Sequence, residues 1–513
     1  MILIIHWYLI KLYLVNFMKI IFRFVLALGL FISCDSFAQG DIKFIVNSNT
    51  NYKIVIPKNS SIGELEASKT LQFYLNKISD ARFLIITDDE KSEVNEILIG
   101  KTNRIVNVDY TKLAEDDTLI KTTDSKILLT GGNRTGVIYS VYKFLEKYVG
   151  IKKYTANFEF IPTKENLSLP SHTDDIDKPA FTYRMTDFKE NYDKSYDDWN
   201  GLNYIFEERR NPVHSFFNYL PRTLFETHPD FFSLINGRRQ LVQPCLSNPQ
   251  VYKIIHDNLA KEMTKYPQIK IWSVSQMDNE EYCHCNLCEP KQRAGRGFVE
   301  TLIPFVNKLA KDFPNKTIST LAYRQSIWPS LTYKPEKNIE IMLCFTNINR
   351  ATSLKDGFTN NLQFSAPDNA KIFRQILESW QRQTSNIFAW DYSVNFTDTM
   401  SPFPNFSVLQ PNIQFLREKK IPKIFVEGYG NQVGDFSELR AYLISKLLWN
   451  PYINFDATKK DFIYSYYGPA APDINKYLEL LEKNVLEYGS TVDIWADNSI
   501  NKDDFLNDKN IQQ

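Results

Sequence analysis

The feature that most limits how this chain can fold is a rhythm running from Phe181 to Gly428. Short apolar runs recur there, each ending in polar or aromatic residues and mostly followed by a helical stretch. The runs are Phe181–Phe188, Val213–Phe217, Ile269–Ser275, Thr317–Tyr323, Ile339–Cys344, Ile387–Tyr392 and Lys423–Gly428. Between them lie helix patterns such as Val251–Lys265, Phe298–Asp312, Ala370–Gln383 and Leu409–Lys420. Alternation at this scale predicts parallel strands joined by crossover helices, closed as a (β/α)8 barrel of the TIM type. The pattern places seven of the eight strands.

At 513 residues the chain is too long for one core. Residues 39–175 read as a small α/β domain with strands near Phe44–Val46, Lys53–Ile56, Phe83–Ile86, Glu96–Gly100 and Lys126–Thr130, and helices over Ser61–Leu75 and Val137–Val149. Gly131-Gly132-x-x-x-Gly136 sits between a strand and a helix, but its spacing is not a dinucleotide fingerprint and no Gly-Lys-Ser/Thr follows. It reads as a turn that needs positive φ. Residues 165–180 are polar and Pro-bearing and suit a linker, so the barrel is assigned to 176–450 and a helical C-terminal segment to 451–513.

Residues 1–38 read as a signal peptide. Lys19 and Arg23 flank the apolar run Phe24–Ile32, and Ser36-Phe37-Ala38 precedes Gln39 as a cleavage pattern, with Met18 as an alternative start. An exported protein of the periplasm or cell surface is the expectation. Cys34 offers a lipid anchor as the second reading; beyond leader or anchor no membrane contact is expected. Lys+Arg and Asp+Glu are both 60, and no long basic run occurs, which argues against a nucleic-acid partner.

In a barrel the reacting groups sit where strands end. Those ends supply Asp187, His214, the acids of 278–281, Tyr323-Arg324, Asp391-Tyr392 and Glu427. Several acids with aromatics, one His and one Arg suit glycoside chemistry, in which carboxyl groups flank the scissile bond and rings stack on sugars. A single strand-end acid serves equally well as a cap or ion-pair partner. Glu427 differs, because it directly follows Ile424-Phe425-Val426, where an uncompensated acid is costly.

Residues 269–289 concentrate the most reactive chemistry: a strand, then Asp278, Glu280 and Glu281, then Cys283-His284-Cys285-Asn286-Leu287-Cys288. Cys283, Cys285 and Cys288 are candidate metal ligands whose fourth partner must come from elsewhere, Cys245 among the options. A structural knuckle or a disulfide that braces the loop is the favoured alternative to a catalytic metal.

The run Trp272–Asn279 continuing through Tyr282-Cys283-His284-Cys285-Asn286-Leu287-Cys288 resembles the signature of the proteins called domain of unknown function 4838, part of which is classified as glycoside hydrolase family 163. His228-Pro-Asp-Phe-Phe, Trp390-Asp391-Tyr392 and Val426-Glu427-Gly428 look like the same family. The N-terminal domain is similar to the non-catalytic one of α-glucuronidases and β-hexosaminidases.

The resemblance implies a barrel hydrolase acting on glycans that contain N-acetylglucosamine, an endo-β-N-acetylglucosaminidase on N-glycans. It would be retaining and substrate-assisted, with no cofactor. Glu427 is then the general acid/base, Asp278 the group orienting an acetamido nucleophile or a water, and Glu281 the alternate acid. His214, Asn279, Tyr323, Arg324, Trp390, Asp391, Tyr392 and Tyr429 are expected to hold substrate. The alternatives are a non-catalytic carbohydrate-binding protein and an α-glucuronidase-like exo-glycosidase.

Overall fold

The computed structural model describes residues 40–123, 125–133, 135–203, 208–355, 369–496, 505–507 and 509. The expected leader, with Cys34, lies outside them. Among the described residues no helix is long and apolar enough to cross a membrane.

The N-terminal unit is a six-stranded sheet in the order Asp174–Asp177, Thr118–Thr123, Lys126–Gly131, Glu96–Ile99, Lys53–Ile56, Leu84–Thr87. Its helix Ile62–Ile78 begins where Ser61 and Glu64 form a capping box that satisfies first-turn amides, and it buries Leu71, Leu75 and Ile78. Residues 165–180 are not a bare linker. Leu167–Leu169 pairs with Ile42–Ile45, and Asp174–Asp177 pairs with Thr118–Thr123. An edge strand can carry acids because one side of its ladder faces away from the sheet. The Gly131–Gly136 turn also departs from expectation, since none of its glycines has positive φ. Close backbone approach is what requires them: a Cβ on Gly132 would lie 1.6 Å from the Ala114 carbonyl oxygen.

Seven parallel strands make the second sheet: β1 (Tyr183–Asp187), β2 (Arg209–Arg210), β3 (Ile271–Ser273), β4 (Thr317–Ala322), β5 (Ile339–Cys344), β6 (Ile387–Tyr392) and β7 (Lys423–Glu427), in spatial order β1-β7-β6-β5-β4-β3-β2. The two edges, β1 and β2, are consecutive in the chain. Across that seam Asn203 N donates to the Arg184 carbonyl (3.0 Å) and the Tyr183 hydroxyl to Glu208 Oε2 (3.0 Å). The sheet thus curls into a TIM-like barrel with seven strands among the described residues, where eight were expected. Val213–Phe217 is not one of them. Asn211 and His214 take positive φ around Pro212, and Phe216–Tyr219 is a short helix, so the pairing falls earlier, at Arg209–Arg210.

Parallel register stacks the inward side chains in layers. At the bottom Glu340, fully buried, accepts from Arg209 Nη2 (2.5 Å), Lys423 Nζ (2.7 Å) and Ser319 Oγ (2.8 Å). Burial pushes its carboxyl up, but Arg209 and Lys423 outweigh that and hold it at about 2. Higher up, Met185, Phe425, Trp390 and Cys344 are register partners, and above them stand Asp187, Glu427 and Tyr392.

Arg184, between inward Tyr183 and Met185, points outward and ties barrel to N-terminal unit. It donates to the carbonyls of Phe181 and Gly201 (both 2.6 Å) and pairs with Asp116 at 3.0 Å, fully buried. Helix Ser437–Trp449 is buried along nearly its whole length. Its Lys446 reaches Glu146 (2.5 Å), and its Tyr442 packs on Phe462 of helix Phe455–Tyr466.

Candidate active site

A cavity of about 970 Å³ opens over the C-terminal ends of the barrel strands, where Asp187, Cys344, Tyr392 and Glu427 are the last residues of their strands. Glu427 stands between Asp187 and Tyr392 because all three are register partners, and partners in a parallel sheet point to the same face. Its carboxylate accepts from Trp390 Nε1 at 2.7 Å. Burial pushes its carboxyl up to about 7, with Asp187 and Asp278 adding like charge, while the Trp390 bond opposes the shift. A carboxyl raised into this range can hold a proton near neutral pH and deliver it. Burial also raises Asp187 above the usual carboxylate range.

Asp278, itself exposed, sits on the loop that leaves β3 and reaches the cavity from the other side. The Tyr323 hydroxyl donates to its Oδ1 at 2.9 Å and itself accepts from Arg324 Nε at 2.7 Å. Arg324 has a φ of 49°, which turns its guanidinium back over this pair and onto Glu280 (3.0 Å). Burial pushes the Tyr323 phenol up to about 12, so it remains a donor. His214 lines the same wall. Its Nδ1 lies 2.7 Å from the Gln276 carbonyl, which only accepts, so the proton sits on Nδ1 and Nε2 is left for other partners.

The structure therefore brings Glu427, Asp278, His214, Tyr323, Trp390 and Tyr392 to one cavity, and puts Arg324 on its rim beside Glu280 and Trp495. Four other sequence candidates lie elsewhere. Asp391 is flanked by inward Trp390 and Tyr392, so strand alternation turns it outward, where it pairs with buried Arg350. Tyr429 is buried edge-on against Phe188, a core position. The amide of Asn279 is spent tying its loop to the strand Arg238–Pro244: Oδ1 accepts from Gln243 Nε2 and from Glu281 N, and Nδ2 donates to the Val242 carbonyl. Glu281 is exposed and does not line the cavity.

Two lining residues carried no weight in the sequence. Asp197, on the short helix Lys194–Asn200, accepts from Asn191 Nδ2 at 2.7 Å, and burial pushes it up to about 7. Trp495 reaches the rim from the C-terminal tail, held because Phe396 N donates to the Ile494 carbonyl and the two rings lie 4.8 Å apart. A lone Trp in a polar tail was the available signal.

The thiols of Cys283, Cys285 and Cys288 are buried beside that of Cys245, outside the cavity lining and without a disulfide between them. His284 turns its ring to Tyr282 instead.

The fold is similar to that of three solved structures. One is a family GH115 4-O-methyl-α-glucuronidase, BtGH115A, with specificity for decorated arabinogalactans (12% identity, TM-score 0.48, 87% of this chain and 63% of that one). Another is CpGH84B (14%, TM-score 0.48, 88% and 80%). The third is a β-N-acetylhexosaminidase from Bacteroides fragilis NCTC 9343 (12%, TM-score 0.47, 86% and 93%). The chain thus spans less than two thirds of the length of the glucuronidase. A search of curated protein sequences finds no match. Residues 153–479 match the family described as "Domain of unknown function (DUF4838)", and the chain belongs to that family.

Proposed function

We propose that the protein is a glycoside hydrolase with Glu427 as its general acid. The observation that carries this is a carboxyl at the end of β7, pushed up to about 7 by burial, held by Trp390 Nε1 and set level with Asp187 in an aromatic-lined cavity. A proton donor poised near operating pH beside a second carboxyl is what glycosidic cleavage needs, and Trp390, Tyr392 and Trp495 offer faces for sugar rings.

The finer reading is an endo-β-N-acetylglucosaminidase acting on N-glycans, retaining and substrate-assisted. Its support is the likeness of the Asp278–Cys288 motif to glycoside hydrolase family 163, together with Asp278 itself, a carboxylate held by the Tyr323 hydroxyl and suited to accept an acetamido N–H. Glu281 faces solvent, so the alternate acid passes to Asp187. Export by way of residues 1–38 belongs to the same reading.

The test is release of free glycan from an N-glycosylated protein and of labelled sugars from α-glucuronide and β-hexosaminide substrates. Glu427→Gln should lower turnover by roughly 100-fold or more. Turnover by Glu427→Gln close to that of the wild type would remove Glu427 from the mechanism. Glycan binding without turnover on any substrate would make the cavity a sugar-binding site only.

A further inference from the structure

We propose that Cys245, Cys283, Cys285 and Cys288 form a closed structural zinc site that braces the loop carrying Asp278. Their four sulfur atoms all lie within 4.8 Å of one another. Cys245 Sγ is 3.5 Å from that of Cys285 and 3.7 Å from that of Cys288. A tetrahedron of thiolates about 2.3 Å from a zinc ion has edges of about 3.8 Å, so the spacing suits one ion held by all four.

Two disulfides fit less well. A pairing would single out one neighbour for Cys245, which instead has two at nearly equal distance. The protein shell is also that of a thiolate. Leu234 N–H donates to Cys283 Sγ at 3.3 Å, and Arg239 Nη1 lies 3.9 Å from the same sulfur, a cation beside a site whose four thiolates and one Zn²⁺ would carry net negative charge. Backbone bonds fix the knuckle: His284 N donates to the Leu234 carbonyl at 2.8 Å and Cys288 N to that of Cys285 at 3.0 Å.

The four ligands come from two separate pieces of chain. Cys245 follows the hairpin of Phe232–Ile235 and Arg238–Pro244, and the other three follow Asp278 on the loop after β3. All four are buried, and they fill a tetrahedral set without a position for water, so the ion is structural. Binding replaces four thiol protons by one Zn²⁺ and releases them to solvent. Its consequence is a loop pinned to the hairpin only a few residues beyond Asp278.

The experiment is metal and thiol analysis of the full chain as purified, which does not depend on whether the protein cleaves a glycan. About one zinc per chain is expected, released as a mercurial reagent titrates four of the six cysteine thiols that the full chain carries. Cobalt offered to the stripped protein should give the visible absorption of a tetrahedral thiolate complex, bleached by zinc. Cys245→Ser should abolish stoichiometric zinc. Should that variant fail to fold, the wild-type metal content and cobalt spectrum decide alone. Two disulfides among Cys245, Cys283, Cys285 and Cys288 by mass, or these four thiols free with no zinc and no cobalt spectrum, would overturn the proposal.

Discussion

Glu427 is where chemistry and burial meet most directly. Its carboxyl titrates at about 7 in the folded chain against 4.5 unperturbed. Activity that needs its proton should fall as pH rises through about 7, and Glu427→Gln should erase that limb of the kcat profile. Asp197 titrates at about 7 as well, so Asp197→Asn is the control that must leave the limb in place. The sign for stability follows from the same shift. A raised folded pKa contributes stability that is full below about 4.5 and lost as pH climbs through about 7, because the buried carboxylate is then charged. Glu427→Gln should therefore melt above the wild type at pH 8, by up to ~3 kcal/mol, with the gap closing toward pH 5.

At the scale of elements, strand alternation explains which residues could be read from sequence and which could not. Glu427 was legible because an acid ending an apolar strand has few inexpensive places to go. Asp391 was open between a substrate contact and an ion-pair partner; its phase in β6 sends it to Arg350, and phase relative to a cavity is unknown until the strand is paired. The layer beneath the cavity makes its own prediction. Glu340→Gln strands Arg209 and Lys423 in the barrel floor and should cost ~3–5 kcal/mol in a denaturant melt at neutral pH. Because the Glu340 pKa is depressed to about 2, its contribution is present above about 4.5 and lost as pH falls toward 2, so wild type and variant should converge in acid. The C-terminal tail gives a kinetic prediction. Trp495→Ala removes a rim ring and should raise KM by about 3–10-fold with kcat nearly unchanged; an unchanged KM would remove the ring from the substrate path.

For the whole molecule, one buried guanidinium is among the ties that join the two units, beside the Lys446–Glu146 pair. Arg184 connects Asp116 of the N-terminal unit to the carbonyls of Phe181 and Gly201. Arg184→Ala leaves Asp116 buried without this partner and should cost ~3–5 kcal/mol. Calorimetry should then show the N-terminal unit melting ahead of the barrel; a single unshifted transition would mean the two units hold together by other contacts.

The sequence by itself determined the alternation of strand and helix, the α/β unit ahead of it and the chemistry available at the strand ends, because periodicity and local propensity act over a few residues at a time. It also contained the Asp278–Cys288 motif. Only the tertiary structure decided that the strands in the described chain number seven, that residues 165–180 pair as sheet edges, and that Asn279, Asp391 and Tyr429 are spent on the scaffold. It alone brought Cys245 to three thiols far along the chain and Trp495 back to the cavity. Those outcomes rest on register and on contacts between distant segments, which no local pattern encodes.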